Sequence, residues 1–305
     1  MRPLAFLCRF VFFFFSLLLC GATAAEIPQT DTLRKIRNSG VVSLSYQLSS
    51  IPFSYLDEHQ QPTGYTKEIC DRVVETLKTE LGMPTLKAAW YPVPATERVS
   101  QLQKGYIDLE CGPTSNTAKR REEADFSLTY FVSGIRLLAR KERHFRSLDD
   151  LKGQTLVVAQ GTTAAELPLR ARYLDRRQIK LLEARTHDYA FMLITNGKAA
   201  AYAIDDVLLA GLLNHVFNPD QYEIFGDPLS SEYYAIMTRK GDGLKAVVDR
   251  TLRKLMASGE LAQMYERWFM RPLFADGHSL NLPMSSELKA RIAHPADETE
   301  ADKAH

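Results

Sequence analysis

Hydrophobic and polar residues recur along the chain with two different periods, which predict helices and strands in a repeating order. Apolar side chains at Ile69, Val73, Leu77 and Leu81 share one face and predict an amphipathic helix over residues 66–81. Strands are predicted at Val41–Tyr46, Leu86–Val93, Tyr106–Cys111, Thr155–Ala159, Ile179–Ala184, Ala199–Ile204 and Tyr222–Phe225. Further helices are predicted at Asp31–Asn38, Ala95–Gln103, Ala164–Leu174, Asp188–Asn196, Val207–His215 and Gly243–Trp268. Strands that alternate with helices favour a parallel sheet covered by helices.

Two longer strands, predicted at Phe131–Lys141 and Tyr233–Arg239, divide this pattern into two similar units. The second unit is inserted into the first, and strands that join two such units allow the units to close on a ligand. The predicted fold is therefore α/β with two lobes, each a mostly parallel sheet with flanking helices, connected by two hinge strands. The expected boundaries are a first lobe over 26–136 and 235–290, a second lobe over 137–234 and a flexible tail over 291–305.

The N-terminal 25 residues have the pattern of a cleaved secretory signal peptide. Arginines precede the apolar run Phe10–Cys20, which is too short to span a bilayer. Small residues follow this run, and cleavage after Ala24 or after Ala25 fits equally well. A lipoprotein attached at Cys20 is the alternative, but Leu19 is bulky where a small residue is expected. We therefore predict a protein that is exported to the periplasm.

Charge and cysteine content narrow the possible functions. Removal of the signal peptide takes away two arginines and no acidic residue, so the formal charge changes from +1 to −1. Nucleic-acid-binding proteins usually carry a basic surplus, and this class is not expected here. Cys70 and Cys111 remain; an oxidising compartment permits a disulfide, but two separate buried thiols fit as well. Neither cysteine has the paired spacing of zinc ligands, and we predict no metal site and no cofactor.

Residues that could bind a ligand are concentrated between Glu110 and Ser127. A predicted strand ends there at a Gly-Pro pair, and hydroxyl, amide and basic residues follow. Loops at the ends of strands in α/β sheets commonly bind ligands. The hydroxyl of Ser115 and the guanidinium of Arg120 are able to clamp one carboxylate, because arginine presents two donors in a plane. The alternative is a capped helix start with a solvated basic turn.

Short motifs in a fixed order extend these hypotheses. They are Leu33–Ile36 with Gly40, Pro52–Tyr55, Gly64-Tyr65, Arg98 with Leu102–Gly105, Asp108–Gly112, Arg120, Asp125–Ser127, Asp150–Gly153, Gly161–Thr163, Asp205-Asp206 and Gly259 with Trp268-Phe269. Through these motifs the chain up to about residue 288 resembles the bacterial extracellular solute-binding proteins of the polar amino-acid family (family 3). Within that family it is most similar to the glutamate/aspartate binders of ABC importers. The resemblance implies the two-lobed periplasmic-binding-protein fold.

The resemblance also implies which residues hold the backbone carboxylate of a bound amino acid. Arg120 is implied to bind the α-carboxylate, assisted by the hydroxyl of Ser115. Thr162 and Thr163 are implied to contribute from the second lobe, at a predicted helix start whose N–H groups suit an anion. An ordinary N-cap is the alternative role of that loop, and the two roles are compatible.

The α-ammonium of the ligand is implied to meet Asp205, at the end of a second-lobe strand. A buried ammonium needs an anion and carbonyl acceptors, and a carbonyl near Pro113 is a candidate acceptor. The alternative role of Asp205 is to cap the helix that follows it, for which Asp206 is the better candidate.

The side-chain pocket is implied to contain Arg98 and His187, which match residues of the glutamate/aspartate binders. Without the resemblance, a surface arginine and a helix-start histidine would be the simpler interpretation. Gln47 stands where those binders use an arginine for the distal carboxylate, and Ala95 stands where they use a serine. Loss of a guanidinium removes a charge-assisted contact worth about 1.5–3 kcal/mol. Gln47 could therefore shift the preference towards another polar amino acid such as glutamine or asparagine.

The expected function is that of a monomeric solute-binding protein, without catalytic residues, that closes two lobes on an amino acid. The ligand is expected to be glutamate or aspartate, delivered to an ABC permease in the inner membrane. One alternative is an exported cyclohexadienyl (prephenate-type) dehydratase on the same fold, with Glu110 and His187 as candidate acid/base groups. A sensor subunit that presents a bound amino acid to a separate receptor is another.

Overall fold

A computed structural model of the chain describes residues 31–166, 174–274 and 278–297. The predicted signal peptide and most of the helix predicted over 164–174 lie outside these residues. The α-helices are α1 (Asp31–Ser39), α2 (Tyr65–Leu81), α3 (Arg98–Gln103), α4 (Ala118–Arg121), α5 (His187–Thr195), α6 (Asp206–His215), α7 (Leu244–Ala257), α8 (Glu260–Tyr265) and α9 (Ser286–Ala293). The strands are β1 (Val41–Tyr46), β2 (Ser49–Ser50), β3 (Ser54–Leu56), β4 (Pro62–Thr63), β5 (Lys87–Pro92), β6 (Leu109–Glu110), β7 (Ala124–Phe126), β8 (Phe131–Ser133), β9 (Ile135–Arg140), β10 (Thr155–Ala159), β11 (Lys180–Ala184), β12 (Ala201–Asp205), β13 (Tyr222–Phe225), β14 (Glu232–Tyr234) and β15 (Met237–Arg239).

Two five-stranded sheets form the two lobes. The strand order is β5-β1-β6-β15-β7 in the first sheet and β11-β10-β12-β9-β13 in the second. Strands β1, β5 and β6 pair in parallel, as do β10, β11 and β12. One strand in each sheet, β15 or β9, runs antiparallel to both of its neighbours. These two strands are the ones that continue from the connections between the lobes, so they enter their sheets from the opposite end. The predicted two-lobed α/β architecture is confirmed.

Each of the two long predicted strands is divided in two where it passes between the lobes. The first breaks at Gly134, where a side chain would approach the backbone carbonyl oxygen of Ser230 to 2.8 Å. The second breaks between Tyr234 and Met237. The preceding pieces, β8 and β14, form a separate antiparallel ribbon in which Phe131 lies opposite Tyr234. We call this pair the hinge ribbon because it lies where the two hinge strands are predicted; both breaks lie within three residues of the predicted lobe boundaries.

Aromatic side chains anchor the hinge ribbon to the first lobe. The ring of Phe131 packs on Phe53 and Phe269, with centroid distances of 4.8 and 5.0 Å. Tyr234 lies 5.2 Å from the same Phe53 ring. All four side chains are buried, and close aromatic pairs add about 0.5–1.5 kcal/mol each beyond burial alone. The ribbon therefore holds a defined position relative to the first lobe.

Two of the predicted helices differ from the structure by three residues or more. The helix predicted over 95–103 begins at Arg98. The long helix predicted over 243–268 is interrupted because Gly259 adopts a φ of 76°, which glycine tolerates and other residues disfavour. A short α-helix follows, and the segment ends in a π-helical turn at Glu266–Met270. No helix within the described part of the chain is long and apolar enough to cross a bilayer.

The flexible tail was predicted to begin at residue 291, which is too early. Arg291 lies in α9, is buried and stacks on an aromatic ring. Asp297 accepts a hydrogen bond at its carbonyl from the side chain of Asn116, 2.7 Å away, and its carboxylate pairs with Lys245 at 2.9 Å. These contacts hold the segment to the first lobe up to the last described residue.

Cys70 of α2 and Cys111 at the end of β6 form a disulfide, which resolves the alternative that the sequence left open. Both residues are buried, and the bond lies directly before the loop that carries Ser115 and Arg120. It therefore ties the base of this loop to the main helix of the first lobe.

Replacing both cysteines with alanine is expected to lower the free energy of unfolding by about 4 kcal/mol, the chain-entropy value for a loop of this length. The sequence separation of the two residues is 41. Urea denaturation of the wild type and the double variant, followed by circular dichroism, measures the difference. Single alanine variants serve as controls and should lose a similar amount, because either substitution removes the cross-link. A loss below about 1 kcal/mol would contradict the stabilising role.

Candidate functional site

A cavity between the two lobes brings together all nine residues that the sequence singled out for ligand binding. Its lining consists of Gln47, Ala95, Arg98, Pro113, Ser115 and Arg120 from the first lobe and Thr162, Thr163, His187, Ile204, Asp205 and Leu208 from the second. The cavity volume is about 20 Å³, close to the space that a single water molecule needs. A molecule the size of an amino acid therefore enters only when the lobes or the lining side chains move.

Arg120 is positioned by the loop that leaves β6. The hydroxyl of Thr117 accepts a hydrogen bond from the backbone N–H of Arg120 and caps α4. The buried guanidinium then donates to the carbonyl of Ser115 at 3.0 Å and, across the cleft, to the carbonyl of Gly161 at 3.2 Å. A carboxylate oxygen of Glu166 lies 3.4 Å away. The guanidinium of Arg120 thus points into the cavity, and one of its two terminal NH₂ groups is directed at the second lobe.

Arg98 reaches the same acceptor from the other side. It donates to the Gly161 carbonyl at 2.8 Å and to the hydroxyl of Thr114 at 2.8 Å. That hydroxyl in turn donates to the buried carboxylate of Glu110 at 2.6 Å. Burial, and then the nearby Arg120, lower the pKa of Arg98 to about 10, so that it is charged at neutral pH. Two guanidiniums therefore converge on one carbonyl oxygen in a nearly closed space.

Asp205 supplies the opposite charge. It occupies the N-cap position of α6, but its side chain makes no capping hydrogen bond. Among the described residues, none donates a hydrogen bond to its buried Oδ1, although the Tyr234 hydroxyl lies beside the carboxylate. Burial, and then the neighbouring Glu232, raise the pKa of Asp205 to about 7. The carboxylate is therefore an acceptor that a cationic group would stabilise.

Glu232 is buried next to Asp205, and each of its carboxylate oxygens accepts a hydrogen bond. Its two carboxylate oxygens accept hydrogen bonds from Thr163 at 2.9 Å and from Ser230 at 2.6 Å. Glu232 lies in hinge strand β14, so Thr163 is oriented by a residue of the hinge.

His187 is oriented by Tyr202, whose hydroxyl lies 2.6 Å from Nδ1 of the ring. Burial raises the pKa of Tyr202 well above its usual value, so the hydroxyl keeps its proton. Burial, and then the charge of Arg98, lower the pKa of His187 to about 4, so the ring is neutral at neutral pH. With the Tyr202 hydroxyl as donor to Nδ1, the ring carries its proton on Nε2 and offers a donor there.

Gln47 is held by Ser50, whose hydroxyl donates to Oε1 of the amide. This contact leaves the NH₂ group of Gln47 as the part that is available to a ligand. The amide nitrogen lies against Gly112, where an added Cβ would approach it to 2.6 Å. The distal end of the cavity therefore presents hydrogen-bond donors at Gln47 and Arg98.

Comparison with known proteins identifies the family of this chain. Residues 42–271 match the bacterial extracellular solute-binding proteins, family 3. The chain belongs to this family. The L-glutamate/L-aspartate-binding protein of Pseudomonas aeruginosa is 40% identical to it over 282 residues, which cover 92% of this chain and 93% of the relative. A glutamate/aspartate import solute-binding protein of Salmonella typhimurium is 36% identical over 278 residues, or 91% of each chain.

The fold of this family 3 protein agrees with solved structures. A solute receptor for L-cysteine of Neisseria gonorrhoeae is similar with a TM-score of 0.69 and 25% sequence identity. The alignment covers 80% of this chain and 96% of the receptor. The two-lobed binding-protein fold expected from the sequence is thereby confirmed.

One local expectation for the family 3 site is wrong. The loop of Thr162 was expected to open a regular helix, but the described part forms only a short 3₁₀ turn at Thr163–Ala165, and Glu166 is already extended. The remainder of the helix predicted over 164–174 lies almost entirely outside the described residues. The hydroxyl of Thr162 donates to the carbonyl of Ala159 at 2.6 Å and so stabilises the loop itself. The described residues therefore do not form the helix start that was expected to bind an anion.

Four residues that orient the lining side chains are not predicted from the sequence: Thr114, Glu166, Tyr202 and Glu232. Each contacts a predicted residue that is 15 or more positions away in sequence, as Tyr202 contacts His187. Local patterns carry no information on such pairs. One local feature could have indicated such an orienting residue, namely a side chain with a hydroxyl group inside an otherwise apolar strand, such as Tyr202 in β12.

Proposed function

We propose that this family 3 protein binds an acidic amino acid, glutamate or aspartate, between its lobes and delivers it to the permease of an ABC importer. Support comes from one arrangement: two buried guanidiniums and the buried carboxylate of Asp205, whose Oδ1 accepts no hydrogen bond from the described residues, line the same cavity. An acidic amino acid carries two carboxylates and one ammonium, which complements these three groups.

The ligand takes over contacts that the protein makes with itself. Arg98 and Arg120 donate to the carbonyl of Gly161, and a carboxylate is a stronger acceptor for both. Arg120 with Ser115 binds the α-carboxylate, and Thr162 and Thr163 contact it from the second lobe. The α-ammonium pairs with Asp205 and with a carbonyl near Pro113.

Donors at the distal end favour an acid over an amide. Arg98 is charged, and Gln47 presents its NH₂ group because Ser50 occupies its carbonyl. The neutral ring of His187 adds a third donor, Nε2, in the tautomer that accepts the Tyr202 hydroxyl at Nδ1. A carboxylate accepts from all three groups, whereas the NH₂ group of glutamine or asparagine would face donors. Gln47 stands where the glutamate/aspartate binders use an arginine, and this replacement does not reverse the preference for an acidic ligand over its amide.

A prephenate-type dehydratase is less well supported. Glu110, a candidate acid/base group, is occupied by Thr114 and does not line the cavity. His187 is neutral and keeps its Nδ1 on Tyr202. The relatives described above are named as solute-binding proteins. We therefore propose a monomeric periplasmic binder, exported with a signal peptide that is cleaved after Ala24 or Ala25.

Titration calorimetry against the common amino acids tests this function, after unfolding and refolding of the mature chain to remove any bound ligand. Glutamate and aspartate should bind, and glutamine and asparagine should bind at least about tenfold more weakly, which corresponds to one charge-assisted contact. Strong glutamine binding without glutamate binding would reverse the proposed preference. Absence of binding to any amino acid, together with turnover of prephenate, would replace the proposed function by the enzymatic one.

A further inference from the structure

Glycines mark two places where the second lobe touches the backbone of the first. A Cβ added at Gly161 would lie 2.8 Å from the backbone of Ala95 and Thr96. A Cβ added at Gly211 would lie 2.1 Å from the carbonyl oxygen of Ile51. Real Cβ contacts are essentially never shorter than 3.0 Å, so a methyl group at either position requires the lobes to move apart.

Gly211 is the more informative of the two, because its backbone does not need glycine. Gly161 has a φ of 76°, so the left-handed conformation alone explains it. Gly211 lies inside α6, a regular helix, where alanine is the more favourable residue. A buried glycine in the middle of a helix therefore calls for a packing reason, and the contact with Ile51 is that reason.

The opposing segment has little freedom to retreat. The atom that Gly211 approaches is a backbone oxygen, and Ile51 is buried. Hydrogen bonds fix the backbone on both sides of it, from Phe53 to Ser50 and from Tyr65 to Pro52, each at 2.8 Å. Phe53 is in turn part of the aromatic core beneath the hinge. A methyl group at position 211 would thus displace α6 rather than the first lobe.

We infer that Gly211 sets how far the lobes close and thereby the affinity for the ligand, without touching the ligand. Helix α6 begins at Asp206, and Asp205 is its N-cap, so a shift of the helix by about 1 Å carries the Asp205 carboxylate with it. The contacts of Arg98 and Arg120 with Gly161 are 2.8 and 3.2 Å long and depend on the same closure. Hydrogen bonds of this kind weaken when stretched by that amount. The closed form then becomes less populated, and apparent affinity falls in proportion.

Gly211→Ala tests this inference, which rests on the proposed function. Glutamate binding measured by calorimetry should weaken by at least about tenfold. The thermal midpoint of the ligand-free protein should stay the same or rise by about 2–4 °C, because alanine favours the helix. In small-angle X-ray scattering the wild type should contract when glutamate is added, whereas the variant should contract less.

Ala210→Gly is the matched control, since it changes helix propensity at the neighbouring, partly exposed position. It should lower the thermal midpoint and leave the affinity within about twofold. The inference would be overturned if Gly211→Ala bound glutamate as tightly as the wild type and contracted as much when glutamate is added. A variant that fails to fold would also overturn it, because the inference confines the clash to the closed arrangement. If the wild type itself binds no amino acid, the proposed function fails instead, which distinguishes the two failures.

Discussion

Replacing Arg120 with alanine is expected to weaken glutamate binding by about 30- to 5,000-fold, equivalent to about 2–5 kcal/mol for one partner of a buried charge pair. The guanidinium is buried, and two of its donors point at acceptors around the cavity. Alanine would leave the α-carboxylate without a counter-charge in a space closed to bulk water. Arg120→Lys keeps the charge but loses the two-donor fork, so an intermediate loss is expected.

Lys119→Ala is the control for Arg120, because Lys119 is an exposed cation in the same short helix. Its removal should change the affinity by less than about threefold, as expected for a screened surface charge. Calorimetry measures the affinities, and circular dichroism verifies that each variant is folded. Equal losses in both alanine variants would mean that only long-range charge matters, and the proposed clamp would be wrong.

The affinity for glutamate is expected to fall by roughly 20- to 30-fold between pH 7.5 and pH 5.5. The pKa of Asp205 without a ligand is about 7, raised by burial and by Glu232. A bound ammonium stabilises the ionised carboxylate, so the pKa of Asp205 is lower in the complex than in the free protein. Below pH 7 the ligand must therefore displace a proton, and affinity declines towards tenfold per pH unit as the pH falls.

Other groups should contribute little in this pH range. In the ligand-free protein His187 has a pKa of about 4, so its ring is neutral over this pH range. Calorimetry in two buffers of different ionisation enthalpy counts the released protons, and close to one should leave at pH 6. Asp205→Asn should bind more weakly at pH 7.5 and lose the pH dependence. A wild-type affinity that is constant over this range would show that Asp205 does not meet the ammonium.

Much of the fold was predictable because its signals are local. The apolar stripe of α2 and the alternating run of β1 were predicted to within one residue. Local signals failed where contacts with residues distant in sequence determine the backbone conformation. The strand predicted over 131–141 breaks at Gly134, since the two ends belong to different sheets. The segment at 291–297 was predicted to be part of a flexible tail, but an ion pair, a hydrogen bond to its backbone and a buried arginine hold it.

The candidate site was predictable for a different reason. The nine predicted residues are separated by up to 158 positions, from Gln47 to Asp205, and no periodicity connects them. Their selection depended on a resemblance whose motifs follow one another along the whole chain. The cavity then brought all nine together, whereas the residues that orient them, such as Thr114 and Tyr202, were absent from the motifs.

The sequence by itself determined the strand and helix order, the two-lobed architecture and the set of candidate ligand residues, because periodicity and spaced motifs are properties of the chain. The tertiary structure decided the Cys70–Cys111 disulfide and the convergence of Arg98 and Arg120 on one carbonyl. It also decided the close approach of Gly211 to Ile51. These features join positions that are distant in sequence, and their geometry depends on how two independently packed lobes meet. Only the folded chain specifies that arrangement.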